Sequence, residues 1–258
     1  MGPLAATTTD AALGYAVMAG PDPKDPMSLH QPRPTLQGWD DLELKGLRVG
    51  VFWPWFRHAT ANMVTVCEAL LAQFERMGIE ICEITIPELE AARIAHSVTI
   101  AGEMAQALSH TYAEHHREHG LDVRTNLALA RAFTACDYIQ AQRVRTRTMA
   151  AFDHVLKQVD AILTPTTGLT APPIPKAALP DGESDLTTLV GIMRFVTPAN
   201  LTGLPAISFP AGYSPAGLPV GMQAIGRAWQ EPTLLRLALA AEQVVERKAP
   251  KVHYSILP

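Results

Sequence analysis

The sequence predicts an α/β fold in which helices sandwich a mixed β-sheet. Near the start, an apolar stretch at residues 47–52, an amphipathic stretch that ends at Gly78 and an alternating stretch at residues 79–86 form a strand–helix–strand unit. Towards the end, three short stretches are apolar throughout: AILTP, AISFP and VGMQAIG. Strands of this kind are usually buried on both faces, which requires helices above and below the sheet.

The remaining elements follow from local signals. The first helix is predicted to begin after Thr7, because Thr7 and Asp10 form the Thr-x-x-Asp pattern of a capping box. Gly20 and the proline after it end that helix. The rest of the chain is predicted to hold a Pro-rich loop or linker at residues 21–38, a helical subregion at residues 87–157 and a final amphipathic helix, EPTLLRLALAAEQVVERK.

Composition excludes several classes of protein. Of 258 residues, 21 are basic and 25 are acidic, and no basic run indicates nucleic-acid binding. The nearest candidate, with Arg143, Arg145 and Arg147 at a spacing of two, spreads around a helix and predicts a solvated surface. No apolar run reaches the roughly 18 residues of a membrane span, and we do not expect the first residues to act as a signal peptide. Three widely spaced cysteines predict reduced thiols in an intracellular protein.

Several stretches of the second half resemble a known family. In fixed order, they are VDAILTPTTGLTAPPIP, VTPANLTGLPAISFPAGY and GLPVGMQAIGRAWQEPTLLRLALAAEQ. Together they resemble the C-terminal half of the amidase signature family, most recognisably over residues 158–246. The opening MGPLAATTTDAALGYAVMAG resembles a segment that lies inside the domain in that family. The resemblance therefore implies that residues 1–258 are the C-terminal part of a single amidase domain, with an incomplete sheet because the N-terminal half is missing.

Four stretches resemble the plant fatty acid amide hydrolase branch of that family: IPELEAARIAHSV, FTACDYIQAQRVR, TPTTGLTAPPIP and IMRFVTPANLTG. The resemblance implies an amidohydrolase that in its full-length form cleaves fatty acid amides such as N-acylethanolamines. The binding partner of the full-length form is then its substrate, a small-molecule amide with an apolar acyl chain. No cofactor is expected. Homo-oligomer formation stays open, and peripheral attachment to endomembranes is expected only through missing upstream segments.

The catalytic residues that the resemblance implies have no counterpart in this sequence. The family uses a lysine as base, a serine in a cis peptide bond as relay, and a nucleophilic serine within a Gly/Ser-rich run. Of the seven serines here no two are adjacent and none lies in a glycine-rich run, and none of the six lysines has a matching context. We expect the chain to be inactive alone. It is either part of a longer amidohydrolase or a catalytically dead remnant that acts as a binding or regulatory partner.

The resemblance places the substrate side of the family's site in this chain. Relatives that act on a tRNA-linked substrate carry an acidic residue before Pro-Ala-Asn, and Met193 occupies its place here. Methionine is apolar and deformable, so Met193 and Phe195 are candidate walls of an acyl pocket, with ordinary core packing as the alternative. Thr166 and Thr167 follow the AILTP strand and are the other candidate substrate-binding residues. Their alternative is a pair of turn-forming hydroxyls.

Two other patterns in the sequence could indicate a different kind of active site, a zinc site or a catalytic serine. His115, Glu118 and His119 match the H-x-x-E-H zinc motif, and on a helix the two histidines would lie one turn apart. The stretch is polar all round and ends at Gly120, so a solvated helix end is favoured and no metal site is predicted. Ser214 stands in GYSPAG, which is typical of a turn between strands and lacks the frame of a catalytic serine.

Overall fold

The computed structural model describes residues 2–25, 28, 34–176 and 185–248, which form a five-stranded mixed sheet with helices on both faces. The predicted fold class is therefore confirmed. Part of the predicted loop at residues 21–38 lies outside the described residues. The strands are β1 (Arg48–Val51), β2 (Glu80–Glu83), β3 (Ala161–Pro165), β4 (Ala206–Tyr213) and β5 (Pro219–Gly226). The α-helices are α1 (Thr8–Met18), α2 (Trp53–Phe56), α3 (Ala61–Arg76), α4 (Leu89–Ala107), α5 (Ser109–His115), α6 (Leu121–Ala130), α7 (Ala135–Leu156), α8 (Leu186–Ile192), α9 (Thr197–Thr202) and α10 (Glu231–Val244).

The strands lie in the order β2-β1-β3-β5-β4. β1 pairs in parallel with β2 and β3, whereas β5 pairs antiparallel with both β3 and β4. The predicted strand–helix–strand unit is β1–α3–β2. β2 is shorter than predicted, since regular pairing stops near the end of β1: the Ile84 N–H donates to the Val51 carbonyl at 3.1 Å, and the chain then leaves the sheet.

Each face of the sheet has its own core. On one face, side chains of β4 and β5 pack against α3 and α10, as in the contact of Phe209 with Phe74 at 6.3 Å between ring centroids. On the other face, Ile162, Ile225 and Phe152 pack together with the segment that precedes α9. β3 is buried along its whole length, as predicted for an apolar strand covered on both sides.

The predicted helical subregion at residues 87–157 consists of α4–α7 and a 3-10 helix at His116–Glu118. α7 begins at a capping box in which the Thr134 hydroxyl accepts from the Asp137 N–H at 3.2 Å. The prediction of a solvated surface for the arginines of α7 is wrong for Arg145. That side chain is half-buried, and its Nε donates to the Leu201 carbonyl at 2.7 Å, because α9 packs beside α7. Arg143 and Arg147 are exposed.

α1 packs against α10. The predicted cap is confirmed, since the Thr7 hydroxyl accepts from the Asp10 N–H at 3.1 Å. The Thr8 N–H donates to the Glu242 carboxylate at 2.9 Å, and burial together with Glu231 raises the pKa of Tyr15 to about 12. Several apolar side chains of α1 remain exposed all the same: Leu13, Val17 and Met18.

The three cysteines are free thiols: Cys67 is buried, Cys82 half-buried and Cys136 exposed. Burial raises the pKa of the Cys67 thiol to about 12, so this group stays protonated at neutral pH. Within the described ranges, no helix combines the length and the hydropathy that crossing a bilayer requires.

Replacing Gly168 by alanine is expected to destabilise the domain by about 1–3 kcal/mol. Gly168 is buried after β3, and its N–H donates to the Gly191 carbonyl at 3.2 Å. A Cβ at Gly168 would overlap that same carbonyl oxygen, so the loop after β3 and α8 would have to separate. Urea unfolding measures the change. The control Gly102→Ala lies within α4 and meets only Tyr138 at ordinary contact distance; a control loss as large as that of Gly168→Ala would refute this packing argument.

Candidate substrate-binding site

The predicted site residues lie at the carboxyl end of β3. Thr166 and Thr167 begin the loop after this strand, and Met193 and Phe195 lie in a 3-10 helix between α8 and α9. Two backbone hydrogen bonds that meet at Gly168 hold these parts together. Its carbonyl accepts from the Thr60 N–H at 2.8 Å, and its N–H donates to Gly191. The fold therefore brings three separate segments of sequence to one end of the sheet.

A row of polar side chains crosses the same face of the sheet. Gln223 of β5 stands opposite both Thr164 of β3 and Ser208 of β4, so the three side chains share one face. The hydroxyls of Ser208 and Thr166 share a hydrogen bond of 2.6 Å. They meet above Gly221, where a Cβ would stand 2.9 Å from the Thr166 oxygen. Glycine at this position therefore allows the two hydroxyls to approach.

The Gln223 side chain ties the row to the 3-10 helix. It is buried, and its Nε2 donates to the Thr164 hydroxyl at 3.2 Å and to the Phe195 carbonyl at 3.0 Å. Both amide protons of the side chain thus have partners, which offsets the cost of burying a polar group between apolar strands. This arrangement fixes the height of the 3-10 helix above the sheet.

Met193 and Phe195 differ in exposure. Phe195 is 0% exposed and packs with Trp55 at 5.5 Å between ring centroids, within the core of this face. Met193 is half-buried. In the described residues, therefore, Phe195 has the surroundings of a core side chain, and Met193 is the member of the pair that solvent or a ligand can reach. Their roles as pocket walls stay predictions.

The two threonines also differ in their contacts. The Thr166 hydroxyl joins the polar row, whereas the Thr167 hydroxyl donates to the Leu169 carbonyl at 2.9 Å. The Thr167 contact is the local turn bond that the sequence offered as the alternative role. Both side chains are half-buried, so a substrate-binding role for either one stays a prediction.

Sequence reasoning did not single out Ser208 or Gln223 as members of this site. A usable signal was present, because a polar residue within a strand that is otherwise apolar needs a buried hydrogen-bond partner. Gln223 is such a residue in VGMQAIG, whereas Ser208 in AISFP is exposed and carries no comparable signal. Which side chains they contact depends on how β4 and β5 are aligned in the sheet. The sequence alone does not give that alignment.

Charged groups lie beside the 3-10 helix. Arg194 stands between Met193 and Phe195 in the chain, and its guanidinium approaches His58 Nδ1 at 3.4 Å. The pKa of Glu90 is lowered, chiefly by its hydrogen bond with Arg93 and further by the charges of Arg194 and His58. Glu90 therefore remains ionised at neutral pH and partly balances the two arginines.

The H-x-x-E-H stretch does not form one helical turn. α5 ends at His115, and a 3-10 helix follows, so His115 and His119 are not presented by a continuous helix. His115 Nδ1 lies 2.9 Å from a Glu118 carboxylate oxygen, while the His119 ring stacks on Tyr112 at 6.0 Å. In the described part of the chain, no group of three or more His, Cys, Asp or Glu residues could hold a metal ion.

We expect the purified protein to retain no stoichiometric zinc after dialysis. The reason is that His115 is already paired with Glu118, and the His119 ring stacks on Tyr112. The two imidazoles are therefore not arranged to share a metal ion. Metal analysis of the wild type and of the His115→Ala, His119→Ala double variant checks this. One zinc per chain in the wild type that is lost in the double variant would contradict it.

Ser214 occupies the turn between β4 and β5, as predicted. It is buried, its hydroxyl accepts from the Leu218 N–H at 3.2 Å, and its carbonyl accepts from the Gly217 N–H at 2.8 Å. The hydroxyl therefore serves the turn itself.

Relatives of known sequence match along the whole chain. The chain is 43% identical over 266 residues to a fatty acid amide hydrolase of Medicago truncatula, covering 100% of the chain and 44% of that relative. It is 40% identical over 266 residues to the fatty acid amide hydrolase of Arabidopsis thaliana, again covering 100% of the chain and 44% of that relative. The chain thus spans less than half the length of these curated relatives and corresponds to their C-terminal portion.

A solved structure and a family profile also match this chain. The solved structure of a glutamyl-tRNA(Gln) amidotransferase subunit from Thermotoga maritima superposes with a TM-score of 0.76 at 29% identity, covering 95% of the chain and 52% of that structure. The family profile described as Amidase matches residues 1–235. Because the profile matches most of this chain and the fold is shared with a solved relative, the chain belongs to the amidase signature family, of which it represents a C-terminal part.

Proposed function

We propose that this chain is the substrate side of an amidase that hydrolyses fatty acid amides such as N-acylethanolamines. The observation that carries the proposal is the match at 40–43% identity to plant fatty acid amide hydrolases over 99–100% of the chain. The match to an amidotransferase subunit of Myxococcus xanthus is weaker, at 30% identity over 94% of the chain. The substrate class follows from the first group of relatives.

The proposal assigns no bond-breaking step to these 258 residues. The Ser208 hydroxyl is hydrogen-bonded to the Thr166 hydroxyl within the polar row, and the Ser214 hydroxyl is bonded within its own turn. Lys157 forms an ion pair with Asp153 at 2.7 Å on the surface of α7. A serine nucleophile needs a base within hydrogen-bond reach, and these contacts do not supply one. The nucleophile, relay and base are therefore assigned to the other half of the domain.

The substrate-side assignment rests on the end of the sheet described above. Met193 offers an apolar, partly accessible side chain where relatives with a charged substrate would use a carboxylate. Phe195 lies in the core of the same face, and the Gln223 contact with the Phe195 carbonyl holds the 3-10 helix in place. Thr166 and Thr167 are the proposed polar contacts next to this apolar wall. Attachment to endomembranes and homo-oligomer formation are parts of the proposal that concern the full-length protein.

The test uses this chain joined to the preceding half of the Medicago truncatula relative. We expect the joined protein to hydrolyse a long-chain N-acylethanolamine with a larger kcat/KM than an anilide or a free amino-acid amide. Apolar walls discriminate by chain length, since each buried methylene contributes about 0.8 kcal/mol. Equal kcat/KM values for the three substrates, or preference for the amino-acid amide, would refute the proposed substrate class.

A further inference from the structure

Arg194 is a half-buried arginine that has no carboxylate partner among the described residues. Its guanidinium contacts His58, with 3.4 Å between a guanidinium nitrogen and Nδ1 of the ring. Because arginine can only donate, His58 Nδ1 is the acceptor of this long bond, and the other N–H groups of Arg194 have no protein acceptor. A positive charge that is partly removed from water is costly until a counter-ion pairs with it.

The acidic side chains at the start of α4, in α3 and before α8 are engaged with other groups. Their partners are Arg93 for Glu90, Arg147 for Glu88, Arg57 for Glu68 and Thr188 for Asp185. Both carboxylate oxygens of Glu90 accept from Arg93, which is the chief cause of its lowered pKa; the charge of Arg194 adds to the effect. The three arginine–glutamate pairs cancel in charge, so Arg194 is left as an excess positive charge.

The backbone places Arg194 at the carboxyl end of β3. A Cβ at Gly168 would stand 3.8 Å from the Arg194 Cβ, so the arginine side chain begins beside the loop after this strand. The Thr60 N–H donates to the Gly168 carbonyl at 2.8 Å, which brings the loop that carries His58 to the same place. Met193 precedes Arg194 in the 3-10 helix and is also half-buried. This end of the sheet therefore presents an apolar side chain next to an arginine without a counter-ion.

An aliphatic carboxylate is the ligand that this combination fits. A guanidinium binds a planar carboxylate through two parallel hydrogen bonds, and one arginine matches its single charge. A neutral hydroxyl offers the same arginine a weaker hydrogen bond, and an ammonium group is repelled by it. Two molecules related to amide hydrolysis carry a carboxylate: the fatty acid that the reaction releases, and an amide whose amine part itself ends in a carboxylate.

We propose that Arg194 binds the carboxylate of an aliphatic ligand whose chain lies along Met193. The place of the chain rests on the proposed function, in which Met193 is a wall of the acyl pocket. The carboxylate contact rests on the missing counter-ion of Arg194. If the ligand is the released fatty acid, the site responds to its own product; if it is an N-acyl amino acid, the substrate class extends beyond neutral N-acylethanolamines.

Calorimetric titration of the 258-residue chain with three octanoyl ligands tests the proposal. Octanoate carries its carboxylate on the chain, N-octanoylglycine carries it beyond the amide, and N-octanoylethanolamine is of nearly the same length as the glycine conjugate but uncharged. We expect at least one of the two carboxylates to bind about tenfold or more tightly than N-octanoylethanolamine. A preference for octanoate alone assigns the released acid, a preference for N-octanoylglycine alone assigns a substrate, and a preference for both assigns a site that accepts either.

Substitutions of Arg194 connect that preference to its side chain. Arg194→Gln should abolish the preference, because glutamine lacks the charge. Arg194→Lys should keep part of it, since lysine retains the charge without the two-point geometry. The matched control is Arg143→Gln, which removes the same charge from an exposed arginine of α7 and should keep the full preference. Circular dichroism of each variant should match the wild type.

Three results would overturn the proposal: no binding of either carboxylate, equal affinities of the wild type for all three ligands, or a preference that Arg194→Gln retains or that Arg143→Gln also loses. The proposed function fails or stands separately, through hydrolysis by the joined protein. Carboxylate binding through Arg194 without hydrolysis of an N-acylethanolamine refutes the proposed function alone. Hydrolysis of an N-acylethanolamine without a preference for carboxylates refutes this inference alone.

Discussion

Replacing Met193 by aspartate in a protein that carries both halves of the domain is expected to reduce kcat/KM for a long-chain N-acylethanolamine far more than for a short-chain one. The side chain is half-buried at the end of the sheet and lies outside the core that holds Phe195. A carboxylate there removes apolar contact with the acyl chain. Each lost methylene contact contributes about 0.8 kcal/mol, or about a fourfold change in kcat/KM. The loss should appear mainly in KM, because the contact exists in both the ground and the transition state.

Met193→Leu is the matched control, since it keeps an apolar side chain of similar volume and should change the kcat/KM values little. Melting curves of both variants establish that the domain is folded. If Met193→Asp lowers kcat/KM equally for both chain lengths, or for neither, Met193 does not line the acyl pocket.

Replacing Phe195 by alanine is expected to lower the free energy of unfolding by about 3–5 kcal/mol. The side chain is fully buried and packs with Trp55, Ile162 and Ile225, so its removal leaves a cavity in the core of this face. Urea unfolding measures the effect. Met193→Ala should cost less than about 2 kcal/mol, because only part of that side chain is removed from water on folding.

This pair of variants separates the two roles that the sequence left open for residues 193 and 195. A large loss for Phe195→Ala with a small loss for Met193→Ala supports core packing of Phe195 beneath an accessible Met193. Similar losses for both would place both residues in the core. Small losses for both would contradict the packing around Trp55.

The sequence predicted most of the fold because local signals and burial pointed in the same direction. Thr7 and Asp10 cap α1 in the structure, and the apolar AILTP stretch is the fully buried β3. The prediction was wrong where tertiary contacts override a local pattern. Arg145 reaches the Leu201 carbonyl because α9 packs beside α7. Short helices such as α2 and α9 have too few residues for a periodic pattern to show.

The candidate site was predicted in part. The family resemblance selected Thr166, Thr167, Met193 and Phe195, and the fold brings all four to the carboxyl end of β3. The resemblance gave no basis for separating an accessible Met193 from a buried Phe195. Two apolar side chains of this kind differ in exposure only through what packs against each of them. The hydrogen bond between Thr166 and Ser208 joins residues 42 positions apart, which no local pattern encodes.

The most direct test of the whole account is the rate of N-acylethanolamine hydrolysis by the chain alone and by the chain together with the preceding half of the domain. We expect no turnover by the chain alone and turnover by the combination. Ser208→Ala and Ser214→Ala in the combined protein should retain turnover, because these hydroxyls serve the polar row and the turn. Turnover that follows the purified 258-residue chain through chromatography, and that is lost on replacing Ser208 or Ser214, would contradict the account.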